Sequence, residues 1–280
     1  MVIFTQTIFH NLMDSTNCLS YNIKVLFSDY HNHPQGHRDL PYTQEVLEPW
    51  ATYARQANLK DVALTDHGRY HPGINLDEFF KFKEKVKDIK FKIGIEIDND
   101  PETSSADYKW IEKNYNRLDF VLGSVHFIDD WPFDHPQHKE GFEKWDIDRL
   151  YVRYFEEMKK LVNKGFLDGL AHLDLIKIFG HRPKNEIKTF VQDILKLIKE
   201  KDLTIEMSTA GWRKPVNEMY PQDEIIKMIK DLDIPITTAS DAHTAKDLGH
   251  SYDRLYEVLK KHGVTQVAVF DNHKIKLFPI

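Results

Sequence analysis

Three histidines occur within nine residues near the start of the sequence, in the stretch DYHNHPQGH at residues 29–37. His31 and His33 are separated by one residue, and His37 follows a Pro-Gln-Gly step. Residues two apart on an extended backbone project to the same face, so His31 and His33 could hold one ion together. Because imidazole is the commonest metal ligand, this stretch suggests part of a metal site that other segments would have to complete.

Similar side chains end most of the other short apolar runs. A lone histidine at such a position is more often a structural, hydrogen-bonded residue, but a repeated pattern is different. Burying so many charged groups without a metal would cost several kcal/mol each. The polar residues at the ends of the six later runs are Asp66 and His67, Glu96 and Asp98, His126, His172 and Asp174, Ser208 and Thr209, and Asp241 and His243.

The donor types indicate which ions such a site would hold. Imidazole and carboxylate without thiolate suit zinc, manganese or iron, and the donors exceed the needs of one ion, so we expect two or three divalent ions. Glu96 lies in the middle of the set and is the natural bridging carboxylate. Multi-metal clusters generate hydroxide from water and neutralise charge on a phosphoryl group, which indicates phosphate-ester chemistry.

Alternating strands and helices must position these residues. The apolar runs KVLFSDY, DVALTD, FKIGIEID, FVLGSVH, DGLAHLD, LTIEMST, IPITTASD and VAVF predict strands, and five longer segments with helical spacing lie between them. Asn75 or Asp77, and Asp146, are predicted helix N-caps. Seven or eight repeats predict a distorted (β/α)7–8, TIM-like barrel whose strand ends converge on one mouth. An open doubly wound sheet is the alternative, but no Gly-rich phosphate turn follows the first strand.

Composition narrows the class of protein. The 280 residues are 41% hydrophobic and carry a net charge of −6, which argues against a nucleic-acid or membrane-surface binder. The single cysteine, Cys18, favours a reducing, cytoplasmic setting, and no apolar stretch approaches the ~18 residues of a membrane span. We predict an N-terminal extension over residues 1–24, loosely ordered, and one catalytic barrel over residues 25–280. The oligomeric state stays open.

The ordered motifs HNH, TDHG, GIEID, GSVHFI, GLAHLD and ASDAH resemble those of the polymerase-and-histidinol-phosphatase (PHP) superfamily. The stretches GSVHFIDDWPFDHP, AHLDLIKIFGHR and STAGWRKPVNEMYP resemble its monofunctional histidinol-phosphate phosphatase branch. The resemblance implies three ions. The first would be bound by His31, His33, Glu96 and Asp241, the second by Glu96, His126 and His172, and the third by His37, His67 and His243. The spacing after His33 is one residue shorter than in the family, so Asp39 is an alternative to His37.

The resemblance also implies a substrate and the residues that act on it. The expected reaction is hydrolysis of L-histidinol phosphate, in histidine biosynthesis, with Glu96, Asp241 and His243 as catalytic residues. Lys177, His181, Arg182 and Arg213 would bind phosphate, and Trp131 or Asp134 would contact the imidazole or ammonium end. The alternatives are a phosphoesterase acting on another small ester or nucleotide, an amidohydrolase, which usually has a bridging lysine, and a non-catalytic metal-binding barrel.

Overall fold

The computed structural model describes residues 27–280, and the extension predicted for residues 1–24 lies outside them. The described strands are β1 (Ser28–Asp29), β2 (Asp61–Leu64), β3 (Lys90–Ile97), β4 (Phe120–Gly123), β5 (Phe127–Ile128), β6 (Trp131–Pro132), β7 (Gly169–Leu170), β8 (Thr204–Ser208), β9 (Ile236–Ala239), β10 (Gln266–Asp271) and β11 (Lys274–Pro279). The α-helices are α1 (Gln44–Gln56), α2 (Leu76–Lys85), α3 (Ser104–Asn114), α4 (Ile147–Lys164), α5 (Ile187–Glu200), α6 (Asp223–Asp231) and α7 (Tyr252–Lys261).

Seven of these strands form a parallel barrel. They lie side by side in the order β1, β2, β3, β4, β7, β8 and β9. The sheet closes because the Tyr30 amide donates to the Thr238 carbonyl at 2.9 Å and Asn32 pairs in parallel with Ala242. The predicted TIM-like barrel is therefore confirmed, with seven strands. Within residues 27–280 no helix combines the length and apolar character needed to cross a bilayer.

The outer helices follow the apolar spacing of the sequence. Helix α4 buries one face, and its first turn is capped by the Asp146 side chain, which accepts hydrogen bonds from two backbone amides. It ends at Gly165, whose φ of +87° a glycine adopts without strain. Asn75 caps α2 in the same way as Asp146, which confirms the first of the two predicted caps there, while Asp77 lies inside the helix.

The predicted eighth strand, VAVF, does not join the barrel, and this part of the prediction is wrong. Strand β10 instead pairs antiparallel with β11. Ala268, Val269 and Phe270 pack with Tyr30 and Phe120 in a buried cluster between the barrel strands. The Tyr30 hydroxyl accepts a hydrogen bond from the Phe270 amide at 2.8 Å and donates to Asp61 at 2.7 Å. The hairpin therefore closes the amino-terminal end of the barrel.

A histidine in the turn of this hairpin anchors it to the barrel. The His273 Nδ1 lies 2.7 Å from Asp168 Oδ2, and its Nε2 lies 2.9 Å from the Tyr115 carbonyl oxygen. Both ring nitrogens face acceptors, so the ring fits the site as an imidazolium. Although burial lowers the pKa of His273, the bonds to Asp168 and Tyr115 raise it above its ordinary value.

This anchor predicts a pH dependence of stability. Because the folded-state pKa of His273 is raised, its stabilisation is fully present below the unfolded pKa near 6.5 and is lost as pH rises through the folded pKa. We expect wild type to exceed His273→Gln in free energy of unfolding by about 1 kcal/mol at pH 5.5. Urea titrations of both proteins at pH 5.5 and 9 test this, and a difference that stays constant between the two pH values would contradict it.

Candidate metal centre

Glu96 lies at the centre of a ring of imidazoles at the carboxyl ends of the barrel strands. It occupies the second-last position of β3, and its side chain is fully buried. Five histidines from the ends of β1, β2, β4 and β7 surround its two oxygens. The nitrogen–oxygen distances are 2.6 Å to His67, 3.3 Å to His31 and to His172, and 3.8 Å to His33 and to His126.

Asp241 supplies a second carboxylate to the same ring. Its Oδ1 lies 3.2 Å from His33 Nε2 and 3.8 Å from His31 Nε2. His243 adds an imidazole that stacks on His33 with ring centroids 4.2 Å apart. Asp241 and His172 both have positive φ angles, +51° and +22°, which non-glycine residues adopt only at an energetic cost.

The arrangement of these donor atoms suits bound metal ions better than it suits hydrogen bonds among the side chains themselves. Despite the short distances, many of them have no hydrogen-bond partner among residues 27–280, although they are buried. Buried polar atoms are normally paired, so this concentration requires an explanation such as bound ions. The atoms concerned are His31 Nε2, both nitrogens of His33 and of His67, both oxygens of Glu96, His172 Nδ1 and His243 Nε2.

Subsets of the donors are close enough to share an ion. Four groups have ligand atoms within 4.8 Å of one another, and they overlap through His31, His33 and His67. The overlap agrees with several ions in one cluster, as the donor count predicted. The groups are His31, His33 and Asp241; His31, Glu96 and His172; His33, His67 and His243; and His67, Asp98 and His126.

The charge states also suit metal binding. Burial alone would raise the pKa of Glu96, but His31 and His67 hold it well below its ordinary value. Burial and the neighbouring His67 and His243 hold the pKa of His33 well below its ordinary value. Glu96 is therefore ionised and His33 neutral, which are the forms that ligate transition metals. The carboxylates around His31 raise its pKa well above the ordinary value despite burial, so metal binding there would release a proton.

The third group of donors differs in one member from the predicted third ion site. The group around His67 and His243 includes His33, whereas His37 is exposed and lies beside them, with its ring 4.2 Å from His243 and 4.9 Å from His67. The imidazole ring of His37 is only partly covered, and this partial burial together with the two neighbouring histidines lowers its pKa to about 3. Asp39 is also exposed. His37 is thus the better placed of the two alternatives, and its role as a ligand stays a proposal.

Two carboxylates orient the histidines from behind, and the sequence did not single out the first of them. Glu206, on β8, lies 2.7 Å from His31 Nδ1, and its other oxygen accepts from the His172 amide at 3.3 Å. Asp98 lies 3.2 Å from His126 Nδ1. Such partners fix the ring orientation and raise its basicity toward a metal. The only sequence signal for Glu206 is a carboxylate in the apolar strand LTIEMST.

Replacing Glu206 with Gln is expected to weaken metal binding. The amide preserves the side-chain shape but removes the charge that supports His31, and the loss of such partners typically costs 10- to 100-fold in metal affinity. Titration of the metal-stripped variant with zinc and a competing chelator measures the change. An affinity equal to that of wild type would show that Glu206 only fills space, and Glu224→Gln, on the surface helix α6, is the matched control.

The predicted phosphate-binding cations occupy three different environments. Arg213 is half-buried beside the cluster, where it donates to the carbonyl oxygens of Ser240 at 2.7 Å and Asp241 at 3.1 Å, and its Nη1 is buried without a partner among the described residues. Lys177 is fully buried and pairs with Asp174 at 2.8 Å. Arg182 is an exposed residue whose guanidinium bonds to Glu218.

This placement changes the expectation for the cations. Lys177 also lies 3.1 Å from Glu218 and donates to the Met219 carbonyl at 2.8 Å, so its ammonium is already compensated inside the protein. We therefore assign Lys177 a structural role in place of the predicted phosphate contact. Arg213 keeps the predicted role as a proposal, because its guanidinium lies beside Asp241 and one of its nitrogens has no partner among the described residues.

The remaining predicted substrate residues lie around a neighbouring cavity. Asp134 and His181 line an open cavity of about 480 Å³. His181 stacks on Phe142, with ring centroids 4.4 Å apart. Trp131 does not line this cavity, and its indole nitrogen donates to the His138 carbonyl. The predicted contacts of Asp134 with the organic end of the substrate and of His181 with the phosphate stay proposals. Trp131 supports the loop.

Comparison with known proteins decides the family. The PHP domain family matches residues 29–210, which is more than half of the chain and contains most of the candidate ligands. The chain belongs to the PHP domain family. The resemblance of the ordered motifs to this family is therefore confirmed. Asp241 and His243 lie beyond the matched range, and the barrel brings them back to the centre.

The relatives of this PHP domain protein include named phosphatases. It is 28% identical over 219 residues to a Deinococcus radiodurans protein named "Probable histidinol-phosphatase", covering 72% of this chain and 82% of that one. It is 26% identical over 275 residues to the histidinol-phosphatase of Lactococcus lactis, covering 88% and 95%. A structure of the L. lactis histidinol phosphate phosphatase with zinc, L-histidinol and phosphate superposes with a TM-score of 0.69 at 24% identity, covering 89% and 98%.

Proposed function

We propose that this PHP domain protein is a metal-dependent phosphomonoesterase that hydrolyses L-histidinol phosphate to L-histidinol and phosphate. The observation that carries the proposal is the set of buried, unpartnered imidazole and carboxylate atoms converging on Glu96. Relatives named histidinol-phosphatase, aligned over most of their length, support the choice of substrate. The partner is thus a small phosphate monoester, and the single cysteine supports a cytoplasmic location.

The ligand assignment follows the distances. Glu96 would bridge ions, with His31, His33 and Asp241 on one side and His126 and His172 on another, while His67 and His243, with His37 beside them, would serve the third position. When bound, zinc, manganese or iron ions would lower the pKa of water and neutralise charge on the phosphoryl group. No phosphorylated side chain is required.

The chain's own residues would perform the remaining steps. Arg213 would hold a free phosphate oxygen, because its buried Nη1 needs an acceptor and a guanidinium forms strong bonds to phosphate. His243 has one available nitrogen, Nε2, because its Nδ1 faces Asp241, so it would either bind the third ion or give a proton to the departing alkoxide. The ligand role fits better, because burial lowers the pKa of His243. Asp241, whose Oδ1 lies 3.4 Å from His243 Nδ1, would orient that ring.

A panel of substrates tests the proposal. Phosphate release should be measured from L-histidinol phosphate, nucleoside monophosphates and an aryl phosphate, with enzyme stripped of metal and reloaded with zinc or manganese. We expect kcat/KM to be highest for L-histidinol phosphate and activity to require metal. Higher kcat/KM for a nucleotide would assign the site to another phosphate ester, and no release from any substrate would favour a non-catalytic metal-binding barrel.

A further inference from the structure

The base of the barrel, at the end away from the metal centre, contains a cavity of about 370 Å³. The cavity lies between the first residues of β2 and β3, the end of α2 and the β10–β11 hairpin. Lys90 begins β3 and Glu96 lies near its other end, so at about 3.3 Å per residue the cavity and the metal centre are roughly 20 Å apart. The cavity volume is at the lower end of the range that holds small molecules.

The charged side chains that line the cavity are mostly basic, although the whole chain is acidic. The 280 residues carry a net charge of −6, but the lining contains five lysines against two carboxylates, Asp61 and Asp271. A concave surface with an excess of one charge focuses the electric field and attracts the opposite charge. The five lysines are Lys83, Lys87, Lys90, Lys92 and Lys276.

The carboxylates near these lysines are too few to neutralise them. Asp271 is shared between Lys92, at 3.1 Å, and Lys276, at 2.9 Å. Asp119, which is not part of the lining, is shared between Lys83, at 3.6 Å, and Lys92, at 3.9 Å. Three of the lysines therefore depend on two carboxylates.

The other two lysines have no carboxylate partner of their own. Lys87 and Lys90 are exposed and form no ion pair within residues 27–280. The remaining lining carboxylate, Asp61, accepts a hydrogen bond from the Tyr30 hydroxyl at 2.7 Å. Burial raises the pKa of Asp61 to about 6, although this bond and the charges of Lys92 and Lys90 act to lower it. Two ammonium groups are thus left to face an anion from solution.

Lys92 offers further donors from inside the lining. The residue is buried, with 6% of its surface exposed, and an ammonium has three N–H groups to donate. Within the described chain, only Asp271 accepts a hydrogen bond from Lys92 Nζ, because the 3.9 Å to Asp119 is too long for one. Buried donors are normally paired, so an acceptor that enters the cavity would complete the set.

The rest of the lining is apolar. Three aromatic residues contribute to it, of which Phe91 and Phe270 are buried and Phe278 is half-buried. Sites for small molecules typically combine such an apolar surface with a few polar groups that fix the orientation of the ligand. An anion with an apolar body would therefore gain more from this cavity than an inorganic ion would. The aliphatic lining residues are Val86, Ile89 and Val269.

We propose that the cavity at the base of the barrel binds a small organic anion that carries an apolar ring. Its charged group would lie among Lys87, Lys90 and Lys92, and its ring would pack on Phe278. Such a ligand would contact both the barrel and the hairpin, so its binding would stabilise the closed base. The inference goes beyond the proposed function and does not depend on it, because the site lies at the opposite end of the barrel.

Binding of 8-anilinonaphthalene-1-sulfonate to the metal-loaded full chain tests the site. This probe combines a sulfonate with aromatic rings, and its fluorescence rises in an apolar environment. We expect saturable binding of one probe per chain, and about tenfold weaker binding in the double variant Lys87→Gln, Lys90→Gln, since it loses two charged donors. The double variant Lys196→Gln, Lys199→Gln is the matched control, because it makes the same change of charge on the exposed face of α5.

Two competitors locate the bound probe and define its class. L-histidinol should leave the probe bound, because it would bind at the mouth of the barrel, and displacement of the probe by L-histidinol would overturn the assignment to the base. Sulfate should displace the probe only at much higher concentration. Displacement by sulfate as effective as binding of the probe would show that the cavity takes inorganic anions and that the organic class is wrong. Equal affinities in the two double variants, or no saturable binding to wild type, would overturn the site itself.

Discussion

Replacing Glu96 with Gln is expected to lower kcat/KM by more than about a hundredfold and to reduce the metal content of the purified protein. The carboxylate lies within 3.8 Å of five imidazole nitrogens, so its charge serves more than one ion at once. The amide of Gln has almost the same volume but points a donor at positive ions. Elemental analysis and phosphate release, measured on the same preparation, report the two effects.

Asp39→Asn is the matched control for Glu96→Gln. It makes the same carboxylate-to-amide change at an exposed position, and we expect a much smaller loss. Comparable losses from the two variants would mean that Glu96 is not the bridge. His37→Ala completes the comparison. Lower metal content in His37→Ala, with normal content in Asp39→Asn, would identify His37 as the third-site ligand.

Replacing Arg213 with Ala should lower kcat/KM by about 10- to 100-fold. One charge-assisted hydrogen bond is worth roughly 1.5–3 kcal/mol, and the buried Nη1 has no partner within the described chain until a phosphate oxygen arrives. Arg213→Lys should recover only part of the loss, because an ammonium can reach the phosphate but cannot also bond the Ser240 and Asp241 carbonyls. Steady-state kinetics with fully metal-loaded protein measure the effect.

Arg182→Ala provides the comparison for Arg213. The Arg182 guanidinium bonds to Glu218 and to Gln222 in an exposed position, so we expect a smaller loss of kcat/KM from Arg182→Ala than from Arg213→Ala. A larger loss from Arg182→Ala than from Arg213→Ala would return the phosphate contact to Arg182. Metal content should match wild type in both variants, and a drop in Arg213→Ala would show that this side chain acts by holding Asp241.

The sequence was most informative where residue type and strand position coincide. His31, His33 and Glu96 could be placed together because barrel strand ends meet at one mouth. Asp241 joined them for the same reason, although it lies more than 200 residues from His31. The alternation of strands and helices and the barrel topology were enough to predict that these residues lie together.

Other features depend on tertiary packing that periodicity does not encode. VAVF has the composition of a barrel strand, but its pairing with β11 was decided by the residues that follow it. Helix α3 buries only Asp107 and Ile111, so its amphipathic signal is weak, and it was not predicted. Lys177 resembled a phosphate ligand because its partners Asp174 and Glu218 come together only in the folded chain.

The hairpin that closes the base of the barrel has a consequence for how the protein is made. Tyr30 cannot complete its hydrogen bonds until Phe270 arrives, and the two are 240 residues apart. The ribosome must therefore synthesise almost the whole barrel before its interior can be filled. Until then Tyr30, Phe120 and Leu122 lack part of their buried cluster and are available to chaperones. Closure of the barrel base is thus a late step of folding, which waits for the segment that carries Phe270.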